Sequence, residues 1–413
     1  MEQIELIDHR VKRTAYNVKR TASWTLLLIA LLTSCSPKTT PPPSELPVVV
    51  APGPKPEPVP EKRYVANIAL ALPFQLDKIT TKTIQQKDLT RATLALDFYQ
   101  GFQLAIDSLA AKGTDFKVQV LDSRDNGVHV ATLAHSAAVQ AADVIIGPVY
   151  PAEIKAFSAS ADLRHKVMVS PLAAAMPTEF NNPKLLSMNN SVDQHATKLT
   201  DFIRTNYSAG VTNLILVNTR KTVDETFAAP IRKAFVESKL SFTEVPNMVG
   251  IESKLSKTKV NVVLITSFDR PFVLLSVNGL YKFCESYKID LFGHPNWTKL
   301  ANLEIEKMQG LNTRITSSYL VDYQSLAVKR FVAAYKRTYK QEPSEYAFKG
   351  FDAGYFFGGL LAKYGNDYLR LLPTEKYEGL HTNFQFKNSA AVGYTNAYLM
   401  MLRYKGFEML VEE

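Results

Sequence analysis

Val144-Ile145-Ile146-Gly147-Pro148-Val149-Tyr150 reads as a buried strand that stops at a Gly-Pro step. Three β-branched residues in a row suit a strand covered on both faces, and proline cannot continue its ladder. Upstream, Ile68-Ala69-Leu70-Ala71-Leu72, ended by Pro73, and Lys117-Val118-Gln119-Val120-Leu121 are two further strands. Between them Phe98, Phe102, Ala105, Ile106 and Leu109 share one face of a helix that Gly113 ends. Asp122-Ser123-Arg124-Asp125-Asn126-Gly127 is a polar loop, and an alanine-rich helix is expected from Ala131 to Ala142. Downstream, a helix from Ala152 to Leu163 leads into Val167-Met168-Val169. Apolar strands alternating with helices of this length imply a parallel sheet covered on both faces.

The pattern then restarts. A helix near Thr197 to Thr205 precedes the strand Asn213-Leu214-Ile215-Leu216-Val217, and a helix through Ala229 to Val236 precedes Val262-Val263-Leu264-Ile265. A helix from Phe272 to Tyr287 and the short strand Ile289-Asp290-Leu291-Phe292 complete a second β/α unit, without a sequence repeat of fixed period. Near the C-terminus Phe331, Tyr335 and Tyr339 share a helical face ended by Pro343. A second helix carries Phe348, Phe351, Tyr355 and Gly359, and both aromatic stripes read as core.

Bulk numbers bound the reading. With 413 residues the chain exceeds the roughly 250–300 residues at which a single core stops growing, so at least two lobes with a cleft between them are expected. The net charge is +9, yet five basic side chains against three acids fall in the first 34 residues. The other Lys and Arg are scattered, without the basic stripe and interleaved aromatics of a nucleic-acid binder. The only cysteines are Cys35 and Cys284, so no internal disulfide is expected.

The N-terminus reads as an address. Basic residues from Arg10 to Arg20 precede the uncharged Trp24-Thr25-Leu26-Leu27-Leu28-Ile29-Ala30-Leu31-Leu32, which is shorter than the ~20 apolar residues that span a bilayer. The run ends in Leu32-Thr33-Ser34-Cys35, which resembles the lipobox of bacterial lipoproteins. The resemblance implies a lipoprotein signal peptide over residues 1–34 and Cys35 as the lipidation site that would anchor the protein in a membrane, facing the periplasm. Ten prolines follow between Pro37 and Pro60, making residues 35–63 a spacer that excludes helix and central strand. Extended at about 3.1 Å per residue it could hold the body several tens of ångströms from a membrane; a leader with no reach requirement has the same composition.

The loops after the strands resemble a known family. Ile68 to Pro73, Gly101, Asp122 and Asp125, Ile145-Ile146-Gly147-Pro148 and Val169-Ser170-Pro171-Leu172-Ala173 are similar, in order, to the first lobe of type I periplasmic-binding proteins of the leucine/isoleucine/valine-binding kind. Phe331, Tyr335, Tyr339 and Pro343, the Phe351-Asp352-Ala353 step and Phe384-x-Phe386 continue the likeness. The resemblance implies an α/β fold of two Rossmann-like lobes with parallel sheets joined by three crossovers. It puts residues 64–186 with 323–378 in the first lobe and 187–322 with 379–413 in the second. A small molecule would bind in the hinge cleft, and an ABC-transporter permease would read the closed shape. Tyr150, Ser170, Asn189, Phe268, Asp269 and His294, at strand ends, are the expected cleft residues.

Departures from the family narrow the ligand. Val149-Tyr150-Pro151 stands where amino-acid binders place small hydroxyls, and Leu172, Ala173, Ala174 and Ala175 follow the Ser-Pro step. Gly293-His294-Pro295-Asn296-Trp297 holds no acid for an ammonium. A zwitterion would find few partners there. The same Gly-Pro loop also looks like that of lipoprotein activators of penicillin-binding proteins, which implies the alternative of a regulator or scaffold contacting a peptidoglycan synthase.

Nothing in the sequence asks for catalysis. His129 and His135 lack metal-ligand spacing, Ser170 has no nucleophile-elbow glycines, and neither a phosphate loop nor a dinucleotide fingerprint is present, so no metal or cofactor is expected. Asp122 and Asp125 are read as a turn or cap rather than an acid–base pair. His294 beside Trp297 is the most site-like cluster, with core packing as its other reading.

Overall fold

The computed structural model describes residues 64–160, 166–174, 176–389 and 393–412. The expected signal peptide, lipidation site Cys35 and proline-rich tether lie outside the described residues. The chain divides into two units, Met1–Glu61 and Lys62–Glu413, and the description concerns the second.

In chain order the elements are β1 (Val65–Leu72), α1 (Leu76–Thr81), α2 (Gln86–Ala110), β2 (Asp115–Asp122), α3 (Gly127–Leu133), α4 (Ala137–Ala141), β3 (Val144–Ile146), α5 (Pro151–Ser158), β4 (Met168–Ser170) and β5 (Leu185–Ser187). The second series is α6 (Val192–Asn206), β6 (Thr212–Val217), α7 (Thr222–Glu237), β7 (Thr243–Val245), β8 (Val260–Ile265), α8 (Arg270–Tyr281), β9 (Ile289–Gly293), α9 (Ile305–Gly310) and β10 (Arg314–Ser317). The chain then returns through α10 (Leu326–Tyr339), α11 (Glu345–Tyr364), α12 (Tyr368–Leu371), β11 (Phe386–Ser389), β12 (Gly393–Asn396), β13 (Met400–Lys405) and β14 (Glu408–Glu412).

Two seven-stranded sheets result, ordered β2-β1-β3-β4-β5-β12-β11 and β7-β6-β8-β9-β10-β13-β14. The first five strands of each run parallel; in the first sheet β12 adds parallel to β5 and β11 pairs antiparallel outside it, whereas in the second β13 and β14 both pair antiparallel. This is the two-lobed α/β architecture that the apolar strand runs predict, with the same order among the five leading strands of each lobe. The chain passes between the sheets three times: after β5, after β10 and after β12.

The tail departs from expectation. Residues 379–413 are not all in the second lobe: β11 and β12 pair onto β5 of the first sheet, and only β13 and β14 join the second. Phe384 and Phe386 anchor this stretch, being buried in the first lobe's core beside Phe356 and Phe357 of α11. The single helix expected from Ala131 to Ala142 is two, because the Ser136 hydroxyl caps α4 by accepting from Val139 N.

The return helix α11 is held to the first lobe by backbone. It crosses α2 so closely that a Cβ on Gly350 would lie 1.9 Å from the Phe98 carbonyl oxygen, and one on Gly101 1.8 Å from that of Ala347. Two residues further, the buried Asp352 carboxylate accepts from the amides of Leu380, His381 and Thr382 at 2.8–2.9 Å and from the Tyr377 hydroxyl. Burial pushes its carboxyl up to about 6 against the pull of these donors.

Gly350→Ala should therefore lower unfolding free energy by roughly 1–3 kcal/mol or more, the cost of overpacking a tight contact. Gly359→Ala, on the same helix but with nothing within 4 Å of the added methyl, should leave stability unchanged or slightly raised. Thermal melts compare the two, and equal losses would show that the crossing is not the sensitive point.

Candidate functional site

The carboxyl ends of the parallel strands converge on a cleft of about 490 Å³, within the range of small-molecule sites. From the first sheet come Val149, Tyr150 and Pro151 after β3, Leu172 to Ala174 after β4, and Asn189 and Asn190 after β5. From the second come Pro295, Asn296 and Lys299 after β9, and Ser318 and Tyr319 after β10, with His195 from the first turn of α6. Tyr346 and Lys349 of α11, Leu94 of α2, Ser317 and the exposed Glu179 complete the lining.

The same local device turns three strand ends. Each finishes in a serine whose hydroxyl donates to a carbonyl just ahead: Ser170 to Ala173 at 3.2 Å, Ser187 to Asn189 at 2.9 Å, and Ser317 to Tyr319 at 2.8 Å. Asn189 Nδ2 donates across to the Leu172 carbonyl, joining two of the turns. His195 joins α6 to β10, with Nδ1 2.8 Å from Thr316 Oγ1 and Nε2 3.4 Å from Ser318 Oγ.

Of the six residues expected from the sequence, the structure brings Tyr150 and Asn189 into the cleft. Ser170 does not reach it, because it is 1% exposed and its hydroxyl is spent on the turn. Phe268 packs on the second lobe's core, and Asp269 precedes α8 on the surface, 3.9 Å from Lys221 Nζ. His294 is buried between Phe227 and Phe268, with ring centroids 4.7 and 4.8 Å away. Its Nδ1 accepts from Asn296 N, so the neutral ring carries its proton on Nε2 and caps the turn whose following residues face the cleft. Asp122 behaves as the turn reading has it, accepting from the amides of Gln75, Leu76 and Arg124.

The sequence reading missed the charged part of the site. Lys349 is only 8% exposed, and its Nζ is 2.7 Å from Glu345 Oε1; Lys299 Nζ is 3.8 Å from the same oxygen. His381 stacks on Tyr319 at 4.4 Å, and burial together with the two lysines holds its imidazole well below the usual range, hence neutral. Burial also lowers Lys349, an effect that Glu345 opposes only in part. The available signal was a lysine between Phe348 and Gly350 in an otherwise apolar helical face. Among the described residues no group of three or more His, Cys, Asp or Glu could hold a metal ion, and no helix is long and apolar enough to cross a membrane.

A family model described as periplasmic binding protein matches residues 90–403. No curated protein matches the chain. Among solved structures, a protein from Rhodospirillum rubrum provisionally assigned as a branched-chain amino acid ABC transporter superposes with a TM-score of 0.61 at 17% identity, covering 84% of this chain and 100% of its own. An ABC transporter substrate-binding protein from Sphaerobacter thermophilus gives 0.56 at 14% identity, covering 85% and 97%. Full-length LpoA from Haemophilus influenzae gives 0.57 at 14% identity, covering 85% of this chain and 60% of its own. At these identities the likeness is one of fold.

The two histidines of this region make stability sensitive to acid. Burial lowers His294 to about 4 and His195 to about 3, so on acidification the unfolded chain protonates first. Stability is then present near neutrality and lost from about pH 6.5 downward. Between pH 7 and 5 urea unfolding should show the parent losing roughly 2 kcal/mol per histidine more than the His195→Asn/His294→Asn double variant. Parallel pH profiles would contradict this.

Proposed function

This chain belongs to the periplasmic binding protein family, and from that premise we propose that it is a non-catalytic lipoprotein of the cell envelope that binds a small solute between its lobes. The observation that carries the reading is the convergence of strand ends from both sheets on one cleft lined by tyrosines, amides and lysines. Tyr150 gives a stacking surface and Asn189 helps set the shape of the wall. Three crossovers provide the hinge about which such lobes close. The signal peptide, the Cys35 anchor and the tether put this body at a membrane surface facing the periplasm, where a transporter permease could read its closed form.

The regulator reading is favoured by a different observation. Val149, Leu172, Ala173 and Ala174 supply apolar wall where a substrate carboxylate would need hydroxyl donors, so an amino acid is poorly served and the outer surface could matter more. The partner would then be a peptidoglycan synthase.

Thermal shift of the full chain against amino acids, short peptides, sugars and carboxylates should find one class that raises the melting point saturably, by about 2.7 kcal/mol of stabilisation at a hundredfold excess over Kd. Tyr150→Ala should weaken that response about tenfold or more without lowering the ligand-free melting point to match. No response to any class, together with crosslinking to a synthase rather than a permease, would replace this reading with the regulator.

A further inference from the structure

We propose that the cleft is selective for a small organic anion without an ammonium group, such as a carboxylate on an aromatic or branched apolar body, and that Lys299 and Lys349 hold the anion. This rests on the solute-binding reading above. Lys299, from the second lobe, and Lys349, from α11 on the first, both line the cleft, and both approach the single oxygen Glu345 Oε1, at 3.8 and 2.7 Å. Both ammoniums also lie over the Tyr319 ring, 5.7 and 5.2 Å from its centroid. His381, with Nε2 3.8 Å from the same oxygen, is neutral, so one carboxylate faces two cations and a positive charge is left over.

An unmatched charge beside a closing, low-dielectric cleft is costly, and an incoming anion supplies what Glu345 alone does not. Because the lysines sit on opposite lobes, an anion between them favours the closed form. An ammonium has the opposite fate. Glu345 is committed to Lys349, and the acid that does line the cleft among the described residues, Glu179, is exposed and solvated. Tyr150, Tyr319 and Tyr346 with Leu172 offer the apolar and aromatic surface for the rest of the molecule.

Isothermal titration on the full chain tests this with matched sets: 3-phenylpropanoate, phenylalanine and 3-phenylpropanamide; 4-methylpentanoate, leucine and 4-methylpentanamide; succinate, aspartate and succinamide. In at least one set the plain carboxylate should bind at least about tenfold more tightly than its amino acid and its amide. Lys299→Met, at a half-exposed position that folding tolerates, should weaken that binding between about tenfold and hundredfold, the loss of one charge-assisted contact. Glu345→Gln should tighten it several-fold, which a purely structural role for the cluster would not do. Equal or tighter binding of an amino acid, amide or neutral sugar, or carboxylate binding indifferent to Lys299→Met, would overturn the anion proposal and leave solute binding standing. Failure of every compound in this and the broader panel would overturn both.

Discussion

The approach of α2 and α11 at Gly101 and Gly350 is the contact on which the rest of the molecule depends. Backbone lies against backbone there, so the crossing sets the axial position of α11 without side chains that could adjust. That position fixes three things along one helix: Tyr346 and Lys349 at the cleft, Gly350 at the crossing, and Asp352 beneath residues 380–382. Lining, packing and crossover are thereby set by a few consecutive turns.

Much of the fold was legible because the central strands are apolar on both faces. β1, β3, β6, β8 and β9 each announce themselves in that way, and alternation with helices gives the parallel sheet. Among the strands that escaped notice, β5, β7 and β10 are three or four residues long, and β7 and β10 carry polar residues such as Glu244, Arg314 and Thr316. Their identity as strands comes from their neighbours, which local pattern cannot supply. The exchange of β11 and β12 into the first sheet was hidden for the same reason: edge pairing is decided by where Phe384 and Phe386 find aromatic company.

The site was less legible than the fold. Tyr150 and Asn189 followed from the rule that ligands meet strand ends, but Ser170 and His294 obey the same rule and are consumed in shaping turns. A strand-end hydroxyl has a carbonyl within reach two or three residues ahead, and that local partner wins over a distant ligand. Lys349 and Tyr346 were concealed by lying on a helix whose aromatic stripe marks it as core. Only the tertiary position of that helix shows that one of its edges meets the cleft.

The C-terminal strands carry a further consequence. Residues 386–412 complete both sheets, covering the outer edge of β5 in one and of β10 in the other. As the chain folds, then, neither lobe can finish ahead of the other as an N-terminal domain ordinarily would. Until those residues have paired, two bare strand edges stay open to foreign pairing, so the two lobes mature together or stay sticky.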